Sequence, residues 1–458
     1  MTWENVDKWI NGRNPFSRSC NRFKIGKDPL GTAESKKADK SEHYMTDKYG
    51  IVYVKNEKDE PKVILYFPWY DIFDEYKIPS TVTMIANMAM MNILTNGHHR
   101  ERSGTRQVPF TIPKQLEYIS PNFEHWGSGN FKFTVESGNR YYRTTSHGGL
   151  MTYSNKEDAE AGKDPDVLIY EPVLGSYSSR YPKYEFPSSF SNNTDFRGYT
   201  SYTNNWVRYN SWIEEVVISK NFPKFPGYQG NTSCFRTSPT KKFSIASGNT
   251  RYKLDENGCL YMNENHYGIA PTDYSTFIAM PYEKSLNNFK FPDGCCAISD
   301  NAFVARRQLT GTLDFNNVVY AESYQGVNYT QVSQVKFSNK TKRIVGWQFF
   351  SANDKLTQVT VGTDRNSELD IFGKYRMFTS NPNLTDIWIY STKVTGTVSD
   401  LIPLRMNTSH GVSIHIPFYT TDKDGATVQT TTYKTFLKNG FSTIENTSTG
   451  VKLVDIPE

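Results

Sequence analysis

The stretch RYKLDENGCLYM, residues 251–262, gives the clearest structural signal in the chain. Two short β-type runs, Arg251–Leu254 and Cys259–Met262, flank the turn-forming residues Asp255–Gly258. This arrangement predicts an antiparallel hairpin, because Asp, Asn and Gly accept the backbone angles that a tight reversal needs. The rest of the sequence follows the same pattern of short strands separated by turn residues.

Short β-type runs dominate the chain outside this hairpin. Residues 51–54 and 63–67 flank a polar segment and predict a second hairpin. Further candidate strands recur at roughly 10–15 residue intervals: 108–112, 130–136, 150–153, 167–170, 243–245, 303–305, 311–320, 331–337, 343–350, 358–361, 376–379, 386–391, 412–418 and 427–436. No strand–helix–strand alternation is visible, which favours an antiparallel sandwich or barrel. No internal repeat is apparent in the residue identities.

Two segments have apolar residues at helical spacing. Residues 81–94 follow the possible N-cap Ser80 and end before Gly97. Residues 205–219 also place their large apolar side chains on one face of a helix. The fold predicted from the sequence is therefore mainly β with one or two short helices.

The composition describes a folded protein that is rich in aromatic residues. Of 458 residues, 37% are hydrophobic and 14% are aromatic, and the formal net charge is +5. Each buried aromatic side chain removes roughly 150–250 Å² from water, which offsets the modest aliphatic content and argues against disorder. No apolar stretch approaches the roughly 18 residues of a transmembrane helix, and the N-terminal region lacks a signal-peptide core. Membrane spanning and classical secretion are therefore not expected.

The five cysteines predict free thiols. They are Cys20, Cys234, Cys259, Cys295 and Cys296, an odd number that includes an adjacent pair. Neighbouring cysteines rarely bridge each other, and no CxxC pair is present for a structural zinc site. We therefore expect neither a disulfide framework nor a bound metal.

Composition also suggests four parts along the chain. Residues 1–49 are polar with a basic excess and predict an extended N-terminal arm. Residues 50–170 and 301–458 carry most of the β-type runs and predict two parts of one core, the second including the C-terminal tail. Residues 171–300 are richer in Tyr, Pro, Ser and Phe, and predict an inserted or projecting lobe.

Enzyme signatures are mostly absent from the sequence. There is no phosphate-binding glycine loop, no GxSxG and no HExxH. His410 and His415 lie on opposite faces of a predicted strand, and Asp422–Gly425 lacks the later ligands of a calcium loop. We therefore predict no catalytic, cofactor-binding or metal-binding residues. Paired carboxylates that meet only in space stay possible, so a carbohydrate-active hydrolase or binding module is kept as an alternative.

Three segments carry a family resemblance. They are NFEHWGSGNFKFTV at 122–135, GGLMTY at 148–153 and GVSIHIPFY at 411–419. The first resembles the segment that enters the third jelly-roll strand of picorna-like virus capsid proteins, and the other two resemble later strands of that family. Gly127 follows Trp126 directly, where the family commonly has Arg before Gly. The resemblance implies that Trp126 is buried at the end of a sandwich.

The resemblance also implies a function. It implies a structural subunit of a virus particle that assembles with copies of itself or other virion subunits to enclose a genome. The protein would be made in the host cytoplasm and located in the virion, without a membrane span. The weak basic excess of the arm 1–49 favours a solvated extension over a neighbouring subunit, with contact to the genome as the alternative. The lobe 171–300 would meet another subunit or a host receptor. The alternative within this class is a phage tail or receptor-binding protein.

Overall fold

The structure is a computed structural model, and it describes thirteen segments of the chain. They are residues 44–47, 51–67, 76–86, 89, 107–120, 131–176, 178–189, 211–222, 239–264, 268–373, 376–396, 411–447 and 450–457. The contacts divide the chain into two compact units. The first comprises Met1–Tyr181, Phe186–Trp212 and Asn221–Pro226, and the second comprises Pro182–Glu185, Ile213–Lys220 and Gly227–Glu458.

The first unit is built from short strands around a buried aromatic core. Its elements are β1 Tyr44–Thr46, β2 Val52–Lys55, β3 Pro61–Tyr66, β4 Tyr76–Lys77, β5 Met84–Ile85, β6 Val108–Ile112, β7 Tyr118–Ile119, β8 Phe131–Val135, β9 Arg143–Thr144, β10 Leu150–Thr152, the helix α1 Lys156–Glu160 and β11 Val167–Tyr170. They form the sheets β1-β2-β3-β5-β7, β4-β6-β8 and β9-β10-β11. Hairpins pair antiparallel, whereas β3-β5-β7 and β4-β6-β8 pair in parallel.

The second unit contains two seven-stranded sheets. The sheets are β15-β16-β17-β19-β21-β23-β25 and β18-β20-β22-β24-β26-β27-β30. The strands from β12 onward are β12 Tyr181–Glu185, β13 Ile213–Ile218, β14 Lys242–Ile245, β15 Tyr252–Leu254, β16 Leu260–Met262, β17 Thr276–Ala279, β18 Leu286–Asn287, β19 Ala297–Ile298, β20 Leu309–Asp314, β21 Tyr320–Glu322, β22 Gln331–Phe337, β23 Arg343–Val345, β24 Gln358–Val361, β25 Ile371–Phe372, β26 Asp386–Ile389, β27 Val412–Ile416, β28 Tyr419–Thr421, β29 Thr427–Gln429 and β30 Val451–Asp455. The helix α2, Thr431–Lys438, lies between β29 and β30.

From β17 to β26 the chain alternates between these two sheets, so that each coil adds one strand to each. Neighbouring strands of successive coils are parallel, and Ala297 pairs with Tyr320, which in turn pairs with Arg343. The inward residues of both sheets form one apolar cluster that includes Phe315, Val335 and Ile387. This coiled arrangement follows from the alternation of buried and outward residues along each strand.

The connections between the sheets repeat a backbone feature. Four coils each contain two residues with positive φ, four positions apart: 301 and 305, 325 and 329, 348 and 352, and 376 and 380. These connections also bond to each other, since the Gln325 N–H donates to the Trp347 carbonyl and the Asn301 N–H to the Tyr324 carbonyl. The chain therefore has an internal structural repeat. The repeat is not visible in the residue identities, because the repeated positions hold different residue types, including Asn, Gln, Arg, Ala and Ser.

Three hairpin turns, between β1 and β2, β9 and β10, and β15 and β16, share one hydrogen-bond pattern. Their first residues are Asp47, Thr145 and Asp255, and the N–H of each donates to the carbonyl four residues later. The side-chain oxygen of each accepts a bond from the N–H of that later residue. In the first and third turns the carboxylate also accepts a bond from a tyrosine hydroxyl, of Tyr53 or Tyr261. The third turn lies in the hairpin predicted from residues 251–262, which is confirmed.

The mainly β prediction is confirmed, and the antiparallel jelly-roll pairing is corrected. Every pairing from β17 to β27 within the two long sheets is parallel. Sequence alternation marks which residues face the core, but it does not state the direction of the neighbouring strand. The predicted domain boundary at residue 300 falls between β19 and β21 of one continuous sheet.

Both helix predictions are also corrected. Met84–Ile85 is strand β5, and Ile213–Ile218 is strand β13. Residues 87–88, 90–94 and 205–210 of the two predicted helices lie outside the described residues. Parallel pairing of β5 with β3 and β7 buries Ile85, so tertiary pairing overrides the local helical spacing. In the part of the chain that the structure describes, no helix has the length and apolarity needed to cross a membrane.

Candidate functional site

A serine, a histidine and a glutamate meet near the β9–β10 turn in an arrangement that invites comparison with a catalytic triad. His147 Nδ1 lies 3.1 Å from Glu171 Oε1, and the Glu171 side chain is 1% exposed. The Ser146 hydroxyl lies 3.5 Å from Nδ1 and 3.4 Å from Nε2 of the same ring. Nearly equal distances to both nitrogens place this oxygen off the lone-pair direction of Nε2. The geometry therefore does not set His147 to activate Ser146 as a nucleophile.

Glu171 instead stabilises the turn. The Thr145 hydroxyl donates to Glu171 Oε2 over 2.9 Å, and the Gly149 N–H donates to Thr145 Oγ1 over 2.8 Å. A Cβ added at Gly149 would lie 1.7 Å from Glu171 Oε2. The carboxylate therefore occupies the space that a side chain at position 149 would need.

The three described cysteines are poor nucleophiles. Cys259, Cys295 and Cys296 are free thiols and are buried. Burial disfavours the thiolate, so it raises the pKa of Cys259 and Cys295 well above the ordinary value and that of Cys296 to about 11. Because the thiolate is the reactive form, these side chains are not suited to covalent catalysis. Cys20 and Cys234 lie outside the described residues.

We expect these three thiols to resist labelling in the folded protein. In a Cys20→Ser, Cys234→Ser variant, Ellman's reagent at pH 8 should modify the native thiols at least a hundredfold more slowly than the thiols of the denatured protein, since both burial and the raised pKa oppose attack. The Cys20→Ser variant serves as the control with one additional thiol. Rapid labelling of three thiols per native chain would contradict the burial.

Metal ligation has no support among the described residues. No group of three or more His, Cys, Asp or Glu side chains there could hold a metal ion. The hairpin turn at Asp422, which could have opened a calcium loop, uses its Oδ1 to accept bonds from the N–H groups of Asp424 and Ala426. His410 lies outside the described residues.

The outer face of the sheet that contains β26 and β27 carries an unusual set of side chains. Buried residues alternate with half-buried ones along both strands. The outward residues include Asp386 and Trp388 on β26 and His415 on β27, and Tyr390 follows directly after β26. Large aromatic rings at the outward positions of a sheet mark a surface for contact with another molecule more often than a solvated face.

Trp388 and His415 form a fixed pair on this face. They are cross-strand partners, and their rings stack with centroids 3.6 Å apart and an interplanar angle of 3°. His415 Nε2 lies 2.8 Å from Asp386 Oδ1, and the histidine side chain is 12% exposed. The carboxylate thus fixes the imidazole, and the imidazole covers one face of the indole.

The other face of the indole points along the sheet toward β24, away from His415. Since the indole stacks on its cross-strand neighbour, its plane stands upright on the sheet. The residue paired with Trp388 on the other side is Thr360, and the next in the same row is Lys336. Lys336 therefore lies two strand spacings from Trp388, about 9.6 Å. The threonine between them has a shorter side chain than either, so the space above Thr360 lies between the indole and the lysine.

We call this space the β24 trough. It runs along β24, and its residues are Gln334, Lys336, Gln358, Thr360, Asp386 and Trp388. Gln358 and Thr360 form the floor, β22 side chains form one side, and β26 side chains form the other. The trough is thus lined by one aromatic ring face, two amides, a hydroxyl and an ammonium group.

Several polar groups of the trough are available to a ligand. Gln334 Nε2 donates to Gln358 Oε1 over 3.5 Å, which leaves the Gln334 oxygen and the Gln358 amide hydrogens without a described partner. Among the described residues, none pairs with the Trp388 Nε1–H or with the Lys336 ammonium. Donors and acceptors therefore lie on the side of the indole that is opposite His415.

Tyr390 extends the aromatic side of the trough. Its ring centroid lies 6.2 Å from that of Trp388, and the two planes differ by 19°. The displacement is close to the roughly 6.6 Å that separates alternate residues of one strand, so the two rings stand side by side along β26. Gly362, next to Tyr390, is buried against Ser367, so the open floor ends at Thr360.

The sequence analysis predicted no site residues and did not single out this surface. The strands at 386–391 and 412–418 were predicted, and their alternation was visible. One feature of the sequence could have identified it. Trp388, Tyr390 and His415 occupy the outward positions of these two strands, where polar residues are expected. What the sequence lacks is the order of strands in the sheet, which brings β22, β24, β26 and β27 together.

Comparisons with known proteins give structural likenesses only. No family model matches the chain, and no curated protein matches it. The solved structures that resemble it include the pneumococcal vaccine antigen PcpA, with 11% identity, a TM-score of 0.38 and coverage of 91% of this chain and 99% of that one. A leucine-rich repeat protein from Eubacterium ventriosum has 12% identity, a TM-score of 0.37 and coverage of 81% and 89%. One from Bacteroides ovatus has 14% identity, a TM-score of 0.27 and coverage of 82% and 81%.

The capsid interpretation is wrong. A jelly roll is built from antiparallel strands, and the sheets around the matching segments are parallel-rich. Two of the segments that suggested a jelly roll lie on β8 and β27, and both strands pair in parallel with their neighbours. The predicted assembly into a virus shell and the virion location are overturned with it, and neither the phage tail nor the carbohydrate-active alternative gains support. Trp126 lies outside the described residues.

Proposed function

We propose that this chain acts by binding a protein partner through the β24 trough and the adjoining rings of Tyr390 and His415, and not by catalysing a reaction. The observation that carries the proposal is the outward indole of Trp388, stacked on one face by His415 and flanked on the other side by the short Thr360. A preordered aromatic ring loses little conformational freedom when a partner packs against it.

The surrounding chemistry supports a protein partner. Trp and Tyr are enriched at the centres of protein interfaces, and short polar side chains such as Thr360 and Gln358 provide hydrogen bonds around them. The charges close to the indole are balanced, since Asp386 pairs with His415 and Lys336 lies opposite. A highly charged polymer such as nucleic acid would need a denser basic surface than this. Association of the chain with copies of itself stays a separate prediction.

The support for a non-catalytic role comes from the geometry of the other candidates. Ser146 is not placed for activation by His147, and the buried thiols have raised pKa values. Coiled repeat folds commonly act through extended surfaces rather than through closed active sites. The trough is such a surface.

A displayed-peptide selection tests the proposal. A random peptide library is selected on the immobilised protein, and each enriched clone is then measured against Trp388→Ala and against Trp212→Ala as a control in the first unit. We expect enriched clones to bind at least tenfold more weakly to Trp388→Ala, with unchanged binding to Trp212→Ala. Clones that bind Trp388→Ala as well as the original protein would overturn the proposal, provided that both variants keep the circular dichroism of the original.

A further inference from the structure

We infer that the chain contains three copies of one module, a β-hairpin with a bulge followed by a strand of the coil, and that three coupled residues fix the hairpin in each copy. We call these three residues the hairpin lock. In the first and third copies the lock has an aspartate in the turn, whereas in the second copy Glu171 supplies the carboxylate from the end of the hairpin. This inference does not depend on the proposed binding function.

The three hairpins share a bulge. β2 pairs with β3, β10 with β11 and β16 with β17, and in each pair the register shifts directly after the residue five positions beyond the first turn residue. That residue pairs with one that stands two positions before a proline. The pairs are Val52 with Tyr66, Leu150 with Tyr170, and Leu260 with Ala279. Since bulges are kept within related structures, a bulge at the same place indicates copies of one hairpin.

A matching strand follows each hairpin. It consists of two buried apolar residues on either side of an exposed one, directly before a proline. The three matching segments are Tyr76–Ile78, Tyr184–Phe186 and Phe289–Phe291. In the first and third, the last of these residues donates its N–H to the next strand of the sheet, to the carbonyls of Thr111 and Asp314. The order of hairpin and coil strand thus occurs three times.

The second and third hairpins also match in sequence. Residues 132–150 and 242–260 align without a gap and are identical at eight of nineteen positions, which corrects the expectation of no internal repeat. Among the identical residues are Asn139 and Asn249, whose side chains make the same contacts. Each Oδ1 accepts bonds from the N–H groups two and three residues later, and each Nδ2 donates to the carbonyl directly after the preceding coil strand. The amide thus joins the hairpin to the coil before it.

The hairpin lock comprises the first turn residue, the residue four positions later and the residue before the proline. Its members are Asp47, Ile51 and Phe67 in the first copy, Thr145, Gly149 and Glu171 in the second, and Asp255, Cys259 and Met280 in the third. In the first and third copies the last two members are apolar and fully buried. The aspartate accepts the N–H of the second member and the hydroxyl of the tyrosine two positions further on. A carboxylate in the turn thus goes with apolar side chains at the other two positions.

The second copy changes all of these positions together. Met151 stands where the other copies have tyrosine, so it has no hydroxyl to donate. Thr145 accepts the Gly149 N–H as an aspartate would, and its own hydroxyl donates to Glu171. Gly149 gives the carboxylate its space, because an added Cβ would lie 1.7 Å from Glu171 Oε2. Each change compensates for another, which explains a buried glutamate at a position that is otherwise apolar.

Thermal unfolding of the full chain tests the coupling. Gly149→Cys should lower the melting temperature, because its Cβ would overlap the Glu171 carboxylate. Adding Thr145→Asp and Glu171→Met creates the lock of the third copy, and we expect this triple variant to recover more than half of the lost temperature. Recovery is partial because the added Cβ would also lie 2.5 Å from the Tyr170 carbonyl oxygen.

Gly148→Cys is the matched control. Gly148 has a φ of +86°, and all three copies have glycine at this position. Combining Gly148→Cys with Thr145→Asp and Glu171→Met should therefore recover none of the temperature that Gly148→Cys loses. A triple variant that melts no higher than Gly149→Cys, or equal recovery in the two backgrounds, would overturn the hairpin lock.

Hydrogen exchange followed by mass spectrometry tests the correspondence of the copies without these variants. Asn139→Ala should speed exchange of the Tyr141 and Tyr142 N–H groups about tenfold or more, because they lose their acceptor. Asn249→Ala should do the same for residues 251 and 252. Asn257→Ala, in the turn of the third hairpin, should change neither. Unchanged exchange at one of the two sites would show that the two asparagines are not equivalent, and would overturn the inference of copied modules.

Discussion

Replacing Asn353 by leucine should destabilise the protein by about 3–5 kcal/mol, because four buried groups lose their partner. Asn353 is 0% exposed. Its Nδ2 donates to the carbonyls of Val327 and Phe350, and its Oδ1 accepts bonds from the N–H and the hydroxyl of Thr330. Leucine has a similar volume, so the loss reports mainly on hydrogen bonds.

Urea unfolding followed by circular dichroism measures this change. Asn353→Asp keeps the acceptor oxygen but sets a carboxylate oxygen against the two carbonyls at a buried position, so we expect a loss at least as large as for leucine. Asn383→Leu is the matched control, since Asn383 is exposed and bonds only one carbonyl, that of Asp354. Equal midpoints for Asn353→Leu and Asn383→Leu would show that the coil does not depend on this amide.

Replacing Arg306 by alanine should also cost about 3–5 kcal/mol of unfolding free energy. Arg306 is 2% exposed, and burial lowers the pKa of its guanidinium to about 10, so it stays charged at neutral pH. Its Nε donates to the Met280 carbonyl and its Nη1 to the Val304 carbonyl, and the guanidinium lies 5.2 Å from the Tyr282 ring centroid. Alanine would leave both carbonyls unpaired and open a cavity.

The adjacent residue provides the control for this second prediction. Arg307 is exposed, so Arg307→Ala should change the stability by less than about 0.5 kcal/mol. Arg306→Lys keeps a positive charge but cannot reproduce both directed bonds, and we expect it to lose more than half as much stability as Arg306→Ala. A melting temperature for Arg306→Ala within the error of the Arg307→Ala value would contradict the predicted role.

Local features of the fold could be predicted from the sequence because they depend on neighbouring residues. The hairpin at 251–262 formed as expected, since its turn chemistry lies within the turn itself. Phe131 and Phe133 alternate with outward residues and form the buried face of β8, so this part of the pattern is also local. The helix predicted at 81–94 is wrong at Met84–Ile85. These residues form a strand, because pairing with distant strands determines the backbone conformation there.

The repeat could not be found in the residue identities, because several residue types adopt the positive φ that each repeated position requires. The left-handed positions at the coil connections hold Asn301, Gln325, Gln348 and Arg376, and each coil compensates with bonds to its neighbour. The sequence also suggested a capsid protein, because short motifs around a β-strand occur in unrelated folds.

The sequence by itself determined that the chain is mainly β, where its hairpins turn, and which strand residues face a core, because turn preference and period-two alternation are local properties. Only the tertiary structure decided that the long sheets are parallel and that the chain coils between them. It also decided that Lys336, Thr360, Trp388 and His415 stand in one row, because strand order joins residues that the sequence separates by 24 to 28 positions. The candidate binding surface exists only through that order.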